Sequence, residues 1–117
     1  MDHPDIIFKI ADRQAWAGAR EKGEFGGAPV DITDGFIHFS TAEQVRETAT
    51  KHFAGADNLV LIAVDAAKLL GKIVWEPSRG GALFPHLYEP LNVDAVLWEK
   101  PIPLQDDGNH EFPDGIA

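Results

Sequence analysis

In the first third of the chain, the spacing of apolar residues is typical of a strand in some segments and of a helix in others. Residues 6–10 are mostly apolar and rich in β-branched side chains, which predicts a first strand. Asp12 can cap a following helix whose apolar residues recur on one face, and Gly23 suits the end of that helix. Residues 24–35 follow neither period and are rich in glycine, so they are predicted to form a mobile loop. Whether this loop closes over a site is left open.

A second strand and helix are predicted next. The strand holds Phe36, His38 and Ser40 on one face, because side chains alternate along an extended chain. Overlapping capping boxes begin at Ser40 and Thr41, so a helix is predicted from there to about residue 53. His38 therefore lies just before a strand-to-helix turn, close to the partly positive N-terminus of a helix.

The second half of the chain consists mainly of predicted strands. Residues 58–65 are apolar on both faces, which is typical of a central strand covered on both sides. Residues 66–70 predict one helical turn, and residues 72–76 and 93–100 predict two further strands. This order of elements indicates an α+β domain with two to three helices around a small, mostly antiparallel sheet.

Regular patterning ends near residue 104, where prolines and an acidic turn follow the last predicted strand. We therefore expect residues 1–104 to form a single globular domain, since a chain of 117 residues is most simply one domain. Residues 105–117 are expected to form an acidic tail that is extended or disordered.

The segment from residue 75 to residue 91 is the densest in unusual residues. It contains three prolines, a Gly80-Gly81 pair and the only tyrosine of the chain. A long loop with so many conformationally restricted residues is uncommon unless it serves a function. If the chain is extended here, His86 and Tyr88 project to the same side, two residues apart. This segment is therefore a candidate wall of a site, or else a rigid loop that covers the core.

Composition narrows the classes of function. The chain has 44% hydrophobic and 25% charged residues, as an ordinary soluble globular protein has. It contains no cysteine, which excludes disulfides, thiolate zinc sites and a cysteine nucleophile. The formal net charge of −9 argues against binding to bulk nucleic acid or to an anionic membrane. No apolar run approaches the roughly 18 residues that span a bilayer, so a cytoplasmic location is expected.

Familiar catalytic motifs are missing from the sequence. Ser40 and Ser78 are the two serines, and neither lies in a Gly-x-Ser-x-Gly motif. His38, His86 and His110 could contribute to a metal site, but no metal-binding spacing is present. Metal-assisted hydrolysis remains an alternative without a motif, and no metal ligand is assigned. Glycine-rich phosphate-binding motifs are also missing.

A set of polar and aromatic residues on strand ends and loops nevertheless indicates a pocket for a small anionic ligand with a flat ring. Arginine binds phosphate or carboxylate in a bidentate manner, and aromatic rings stack on a base. Each residue also has a structural alternative, since a histidine at a strand end can be purely structural, Trp75 can belong to the core, and Arg79 can pair with a glutamate. The candidates are Ser40, Trp75, Ser78, Arg79 and Phe84 for ligand binding and His38, Glu76, His86, Tyr88 and Glu99 for catalysis.

Residues 34–45, 59–65, 75–79 and 84–88 resemble, in this order, the motifs of a family of small bacterial and plant proteins known as domain of unknown function 952. The resemblance extends to about Lys100. The family in turn resembles, at the level of the fold, the ADP-ribosyltransferases and the RNA 2′-phosphotransferases. This resemblance implies a split, curved sheet around a cleft that holds NAD or an ADP-ribose-like group.

The same resemblance implies roles for individual residues. His38 would contact the ribose of the ligand, Tyr88 would stack on nicotinamide, and Glu76 or Glu99 would stabilise an oxocarbenium-like transition state. NAD would then be a substrate, and no resident cofactor is indicated.

Two functional hypotheses follow. In the first, the protein binds a nucleotide or an ADP-ribose-like anionic ligand without transforming it. In the second, it is an enzyme that transfers an ADP-ribosyl or phosphoribosyl group. The enzyme requires a glutamate whose replacement abolishes turnover but preserves binding, whereas the binding protein does not. The oligomeric state is not indicated by the sequence.

Overall fold

The first strand and helix, and the later strand and helix around residues 36–53, occur in the order that the sequence predicts. The computed structural model describes residues 4–69, 72–77, 81–114 and 116. Within them the strands are β1 (Ile6–Asp12), β2 (Glu24–Phe25), β3 (Ile37–His38), β4 (Leu59–Asp65), β5 (Ile73–Pro77), β6 (Leu83–Leu87), β7 (Leu91–Asn92) and β8 (Val96–Pro101). The helices are α1 (Arg13–Lys22), α2 (Pro29–Asp34) and α3 (Val45–His52), with 3₁₀ turns at Ala66–Leu69 and Val93–Ala95.

Among the described residues every strand pairing is antiparallel, and the strands form three small sheets of a single α+β domain. The first sheet has the order β1-β4-β8, the second has the order β3-β6-β5, and β2 pairs with β7. The prediction of a central strand is confirmed, because β4 lies between two partners and its residues Leu59 to Val64 are all buried.

The first sheet is covered on both faces. Its side chains alternate between two apolar clusters, as the pleat of a strand requires. On one face Val60 and Ile62 pack with Trp16 of α1 and with Leu87 of the second sheet. On the other face Leu61 packs with apolar residues of α3 and of the C-terminal segment. The core therefore lies on both sides of β4.

Local signals explain where α1 and α3 begin. The Asp12 carboxylate accepts hydrogen bonds from the backbone N–H groups of Gln14 and Ala15 at 3.1 and 3.0 Å, so the predicted cap of α1 is confirmed. Thr41 and Gln44 exchange the two bonds of a capping box, at 3.0 and 3.3 Å, in the turn that leads into α3. Ser40 does not cap, since its hydroxyl lies 3.0 Å from that of Thr48.

The prediction of a loop at residues 24–35 is wrong, because this segment contains β2 and α2. Pro29 begins α2, and the Asp31 side chain accepts a hydrogen bond from the Ala28 N–H at 2.7 Å. A helix of six residues is too short to show an apolar period. Its buried residue is a carboxylate instead, and that carboxylate belongs to the candidate site.

The segment from 75 to 91 is likewise not a single loop, because it contains the end of β5 and all of β6. Proline is disfavoured inside a sheet since it lacks an N–H donor, and β6 is the middle strand of its sheet. Here Pro85 still accepts a hydrogen bond from the Phe39 N–H through its carbonyl oxygen, at 3.0 Å. The last strand also differs from the prediction, since β8 begins at Val96 after a 3₁₀ turn.

The C-terminal segment packs on the domain rather than extending away from it. Leu104 forms a bridge with His110, and the buried Ile116 lies in the apolar cluster beside α3. The expectation of an extended or disordered tail therefore fails for this segment, because its few apolar residues complete one face of the core. Within the described residues, the longest helices fall short of the length and apolarity needed to cross a membrane.

Candidate functional site

A cavity of about 480 Å³ opens where the two larger sheets diverge. The sheets are joined by a bridge between Phe8 of β1 and Ser40, with backbone N–O distances of 2.8 and 2.9 Å. Beyond this bridge β1 pairs with β4, whereas β3 pairs with β6. Residues of α3 line the space between the two sheets. Polar and aromatic residues of its lining include Lys9, His38, Ser40, His52, Phe84 and His86.

A pair of histidines lies on one wall of the cavity. His38 on β3 is directly opposite His86 on β6, and their ring centroids are 5.4 Å apart. Phe36 packs on both rings, at 4.6 Å from the centroid of His38 and 4.1 Å from that of His86. The predicted alternation of Phe36 and His38 on one face agrees with this contact. The register of β3 and β6 therefore brings together histidines that are far apart in the sequence.

Both ring nitrogens of His38 face carboxylates. The Nδ1 atom lies 2.6 Å from Oδ1 of Asp31, and the Nε2 atom lies 3.0 Å from Oδ2 of Asp34. Since a carboxylate only accepts hydrogen bonds, both contacts are hydrogen bonds when the ring carries both protons. The Asp31 side chain is 1% exposed, whereas that of Asp34 is 43% exposed. One contact of His38 is therefore part of the interior and the other lies at the surface.

Asp31 also forms a buried ion pair with Lys9, with an Nζ–Oδ2 distance of 2.9 Å. Burial alone would raise the pKa of Asp31, but the charge of Lys9 and hydrogen bonds from Lys9, His38 and the Ala28 N–H hold that pKa below its ordinary value. Burial lowers the pKa of the Lys9 ammonium group, although the charge and the hydrogen bond of Asp31 act in the opposite direction. This pair attaches α2 to β1 beneath the cavity.

His86 has a carboxylate partner of its own. Its Nδ1 atom lies 2.7 Å from Oε1 of Glu76, and the Tyr88 hydroxyl donates to the same oxygen at 2.7 Å. These hydrogen bonds, that of His86 first, lower the pKa of Glu76 below its ordinary value. The bond to Glu76 also raises the pKa of the Tyr88 phenol. The group is held on two neighbouring strands, β5 and β6, and on the residue that follows β6.

The structure brings together many of the residues predicted to form the site. His38, Ser40, Phe84 and His86 line the cavity. Glu76 and Tyr88 lie behind His86, outside the lining, and Tyr88 is exposed.

Other candidates lie elsewhere. Trp75 packs against the core, as its structural alternative proposed. Glu99 on β8 forms an ion pair with Arg20 at 2.6 Å and lines a separate cavity of about 240 Å³. Ser78 and Arg79 lie outside the described residues.

Sequence reasoning missed several residues of this site, among them Lys9, Asp31, Asp34 and Phe36. A signal existed for Lys9, which is the single charged residue in the apolar run at residues 6–10. Such a residue needs a buried partner, although the sequence does not say which carboxylate serves. Asp34 lies four residues before His38, but Asp31 and Lys9 are separated by 22 positions. Their contact depends on the tertiary fold.

Another cavity, of about 550 Å³, lies beside the 3₁₀ turn at Ala66–Leu69 and is more open to solvent. Its lysines are already engaged, since Lys72 pairs with Glu89 at 3.1 Å and Lys68 donates to the Asp94 carbonyl at 3.1 Å. The cavity of about 480 Å³ that is lined by His38 and His86, called the histidine cavity below, is the better candidate. It is more enclosed and has aromatic walls. Among the described residues, no group of three or more histidine, aspartate or glutamate side chains could hold a metal ion.

The chain has well-defined relatives. A family model described as protein of unknown function (DUF952) matches residues 10–99, while no curated protein matches the chain. The crystal structure of protein CC0527 from Caulobacter crescentus is 50% identical, with a TM-score of 0.87 over 91% of this chain and 93% of that chain. The solution NMR structure of CC0527 is also 50% identical, with a TM-score of 0.81 over 91% of each chain. Since the family model covers most of the sequence, including His38 and His86, the chain belongs to the DUF952 family.

Proposed function

We propose that the histidine cavity binds a small anionic ligand with a flat ring, such as a nucleotide or an ADP-ribose-like group. The observation that carries this proposal is the His38–His86 pair, which lies across two strands in an enclosed cavity with each Nδ1 atom fixed by a carboxylate. The volume of about 480 Å³ lies within the range of small-molecule sites.

The walls of the cavity suit the ring of such a ligand. Phe8, Phe39, Phe53 and Phe84 contribute to the lining, and aromatic faces of this kind stack on planar rings. Phe84 is 9% exposed and lies on β6, two residues before His86. A base or nicotinamide ring could therefore contact the phenylalanines while its polar substituents reach the histidines.

His38 supports the binding of the anionic part. Its Nε2 atom already contacts a carboxylate oxygen of Asp34 at the surface end of the cavity. A phosphate or carboxylate oxygen of a ligand can take that position, because the half-exposed Asp34 side chain can turn toward solvent. Lys9 adds a buried ammonium group to the same lining, and this group is already paired with Asp31.

A transferase of ADP-ribosyl or phosphoribosyl groups, on an ADP-ribosyltransferase-like fold, is the second candidate. The observation in its favour is that Glu76 lies beside the histidine pair and is shared by His86 and Tyr88. Glu76 is therefore preferred to Glu99 as the glutamate that stabilises the ribose in the transition state. In this candidate His38 contacts the ribose, Tyr88 contacts nicotinamide, and NAD is the substrate. A cytoplasmic site of action belongs to the same proposal, since nucleotides are abundant there.

Thermal unfolding with and without NAD, ADP-ribose and a 2′-phosphorylated nucleotide tests the binding proposal. A ligand at about 100 times its dissociation constant stabilises a protein by about 2.7 kcal/mol, which raises the Tm of a domain of this size by several degrees. We expect such a shift in the wild type and in Glu99→Gln, the control, and its loss in His38→Ala. If every ligand leaves the Tm of folded wild-type protein unchanged, the proposal is wrong.

A further inference from the structure

The contact between Glu76 and His86 determines which nitrogen of the His86 ring is free. The Glu76 carboxylate only accepts hydrogen bonds, so the proton of the neutral ring lies on Nδ1, 2.7 Å from Oε1. The lone pair of the neutral ring then lies on Nε2. A carboxylate that orients a histidine in this way also stabilises the imidazolium that forms when Nε2 takes up a proton.

The ring of His86 is held in place by its neighbours. The residue is 6% exposed, stacks on Phe36 at a centroid distance of 4.1 Å and an interplanar angle of 28°, and lies between Val74 and His38 in the sheet. Because Nδ1 is bonded to Glu76, a flip of the ring about its Cβ–Cγ bond would place Cδ2 at that position and break the contact. The orientation of Nε2 is therefore set before any ligand binds.

Within the described residues, Nε2 of His86 has no hydrogen-bond partner. It is not fully buried, because the fully buried side-chain polar atoms without a partner are Nε1 of Trp16 and Nδ1 of His110. His86 lines the histidine cavity, whereas Glu76, the partner of its Nδ1 atom, lies outside the lining; we infer that the free Nε2 atom faces the cavity. His38 differs in this respect, because both of its nitrogens already contact carboxylates.

We propose that His86 is the general base of an active site in this cavity, with Glu76 as its positioning residue. Nε2 accepts the proton of a water molecule or of a ligand hydroxyl group. The electron pair left on that oxygen forms a bond to the acyl carbon or phosphorus of an ester or anhydride. The bond from that centre to its leaving oxygen breaks, and the leaving oxygen takes the proton back from Nε2.

This inference rests on the proposed function only in placing the substrate in the same cavity. It gives Glu76 a different role from that of the transferase candidate, in which the glutamate itself contacts the ribose. The substrate class is a small molecule with an acyl or phosphoryl ester bond. The tests are therefore chosen so that they require no nucleotide.

The first test is the tautomer of His86 in the ligand-free protein, measured from its ¹⁵N ring signals by NMR. We expect the neutral form of the ring to carry its proton on Nδ1 in the wild type and to change toward the Nε2–H tautomer in Glu76→Ala. Glu89→Ala, which removes a nearby surface glutamate paired with Lys72, is the matched control and should leave the His86 signals unchanged. An Nε2–H tautomer in the wild type would overturn the proposal.

The second test is the hydrolysis of 4-nitrophenyl acetate, a small activated ester whose cleavage reports an accessible basic imidazole. We expect the wild type to be faster than His86→Gln by about tenfold or more, since general bases contribute at least this much to most reactions. Glu76→Gln should also be slower, and added imidazole should restore the rate of folded His86→Gly.

Equal rates of folded wild type and His86→Gln would overturn the proposal. A faster wild type that binds no nucleotide would instead retain the general base and overturn only the proposed ligand.

Discussion

Asp31 accepts hydrogen bonds from Lys9, from the backbone and ring of His38, and from the Ala28 N–H. A carboxylate that is 1% exposed needs such partners, because an isolated buried charge is strongly disfavoured. The same side chain attaches α2 to β1 and orients His38. This one residue therefore links the local structure of a short helix to the geometry of the candidate site.

Replacement of Asp31 by alanine is expected to lower the free energy of unfolding by about 3–5 kcal/mol, because it leaves the buried Lys9 ammonium group without its partner. Denaturant unfolding measures this change. Asp34→Ala is the control, since it removes the exposed carboxylate contact of His38 and should cost less than about 1 kcal/mol. Equal effects of the two substitutions would contradict this account of Asp31.

The hydrogen bond from Tyr88 to Glu76 predicts a change in titration. Tyr88→Phe removes a donor, so the pKa of Glu76 should rise from its lowered position toward its ordinary value. Because its pKa is lower in the folded state, Glu76 stabilises the fold at pH values above its unfolded-state pKa. This contribution is lost as the pH falls through its folded-state pKa. In Tyr88→Phe the contribution should therefore be smaller, and its loss should be complete at a higher pH. Titration of the Glu76 carboxyl ¹³C signal measures the change, with that of Glu89 as the control, and an unchanged Glu76 pKa would refute it.

The C-terminal segment completes one face of the core, although its apolar residues show neither the spacing of a helix nor that of a strand. Ile116 is buried beside Val45 and Ala49 of α3, and the Arg46 side chain lies 3.4 Å from its carbonyl oxygen. His110 Nε2 also lies 2.7 Å from the Ala56 carbonyl. The segment is therefore part of the domain.

Ile116→Ala is expected to lower the free energy of unfolding by about 2 kcal/mol, at the lower end for a buried isoleucine because the residue is still 8% exposed. Denaturant unfolding measures the effect, and Glu111→Ala, at an exposed position of the same segment, is the control. If Ile116→Ala is as stable as the control, the segment does not contribute to the core as described.

Elements with a clear apolar period could be predicted from the sequence, whereas elements defined by polar contacts could not. The period and caps of α1 and the continuous apolar run of β4 predict both elements with nearly correct bounds. In contrast, α2 is held by the buried carboxylate of Asp31, and β6 contains a proline in a middle strand. Neither feature follows from local propensity, because tertiary contacts override it.

The candidate site could be predicted in part for the same reason. His38 and His86 were recognised because each lies in a short segment dense in polar and aromatic residues. Their pairing across β3 and β6, and the ion pair of Lys9 with Asp31, required knowledge of the register and of contacts between distant residues. Glu99 is a predicted site residue that the fold places elsewhere, because it pairs with Arg20 outside the histidine cavity.

At the scale of the whole molecule, the two larger sheets share one bridge, Phe8 to Ser40, and separate beyond it. The separation creates the enclosed cavity, and the antiparallel pairing of β3 with β6 brings both histidines to its wall. The opposite edge of the first sheet, where β8 carries Glu99, contributes to a different cavity. The fold therefore confines the candidate chemistry to one side of the domain.

The central claim is that a small anionic ligand with a flat ring binds in the histidine cavity. The most direct measurement is a ¹H–¹⁵N NMR titration of the wild type with ADP-ribose, up to about millimolar concentration, where weak binding would still be detected. We expect amide shift changes concentrated at residues 8–10, 38–40, 84 and 86, with the surroundings of Glu99 unaffected. An unchanged spectrum, or changes centred on Glu99 and Arg20, would contradict it.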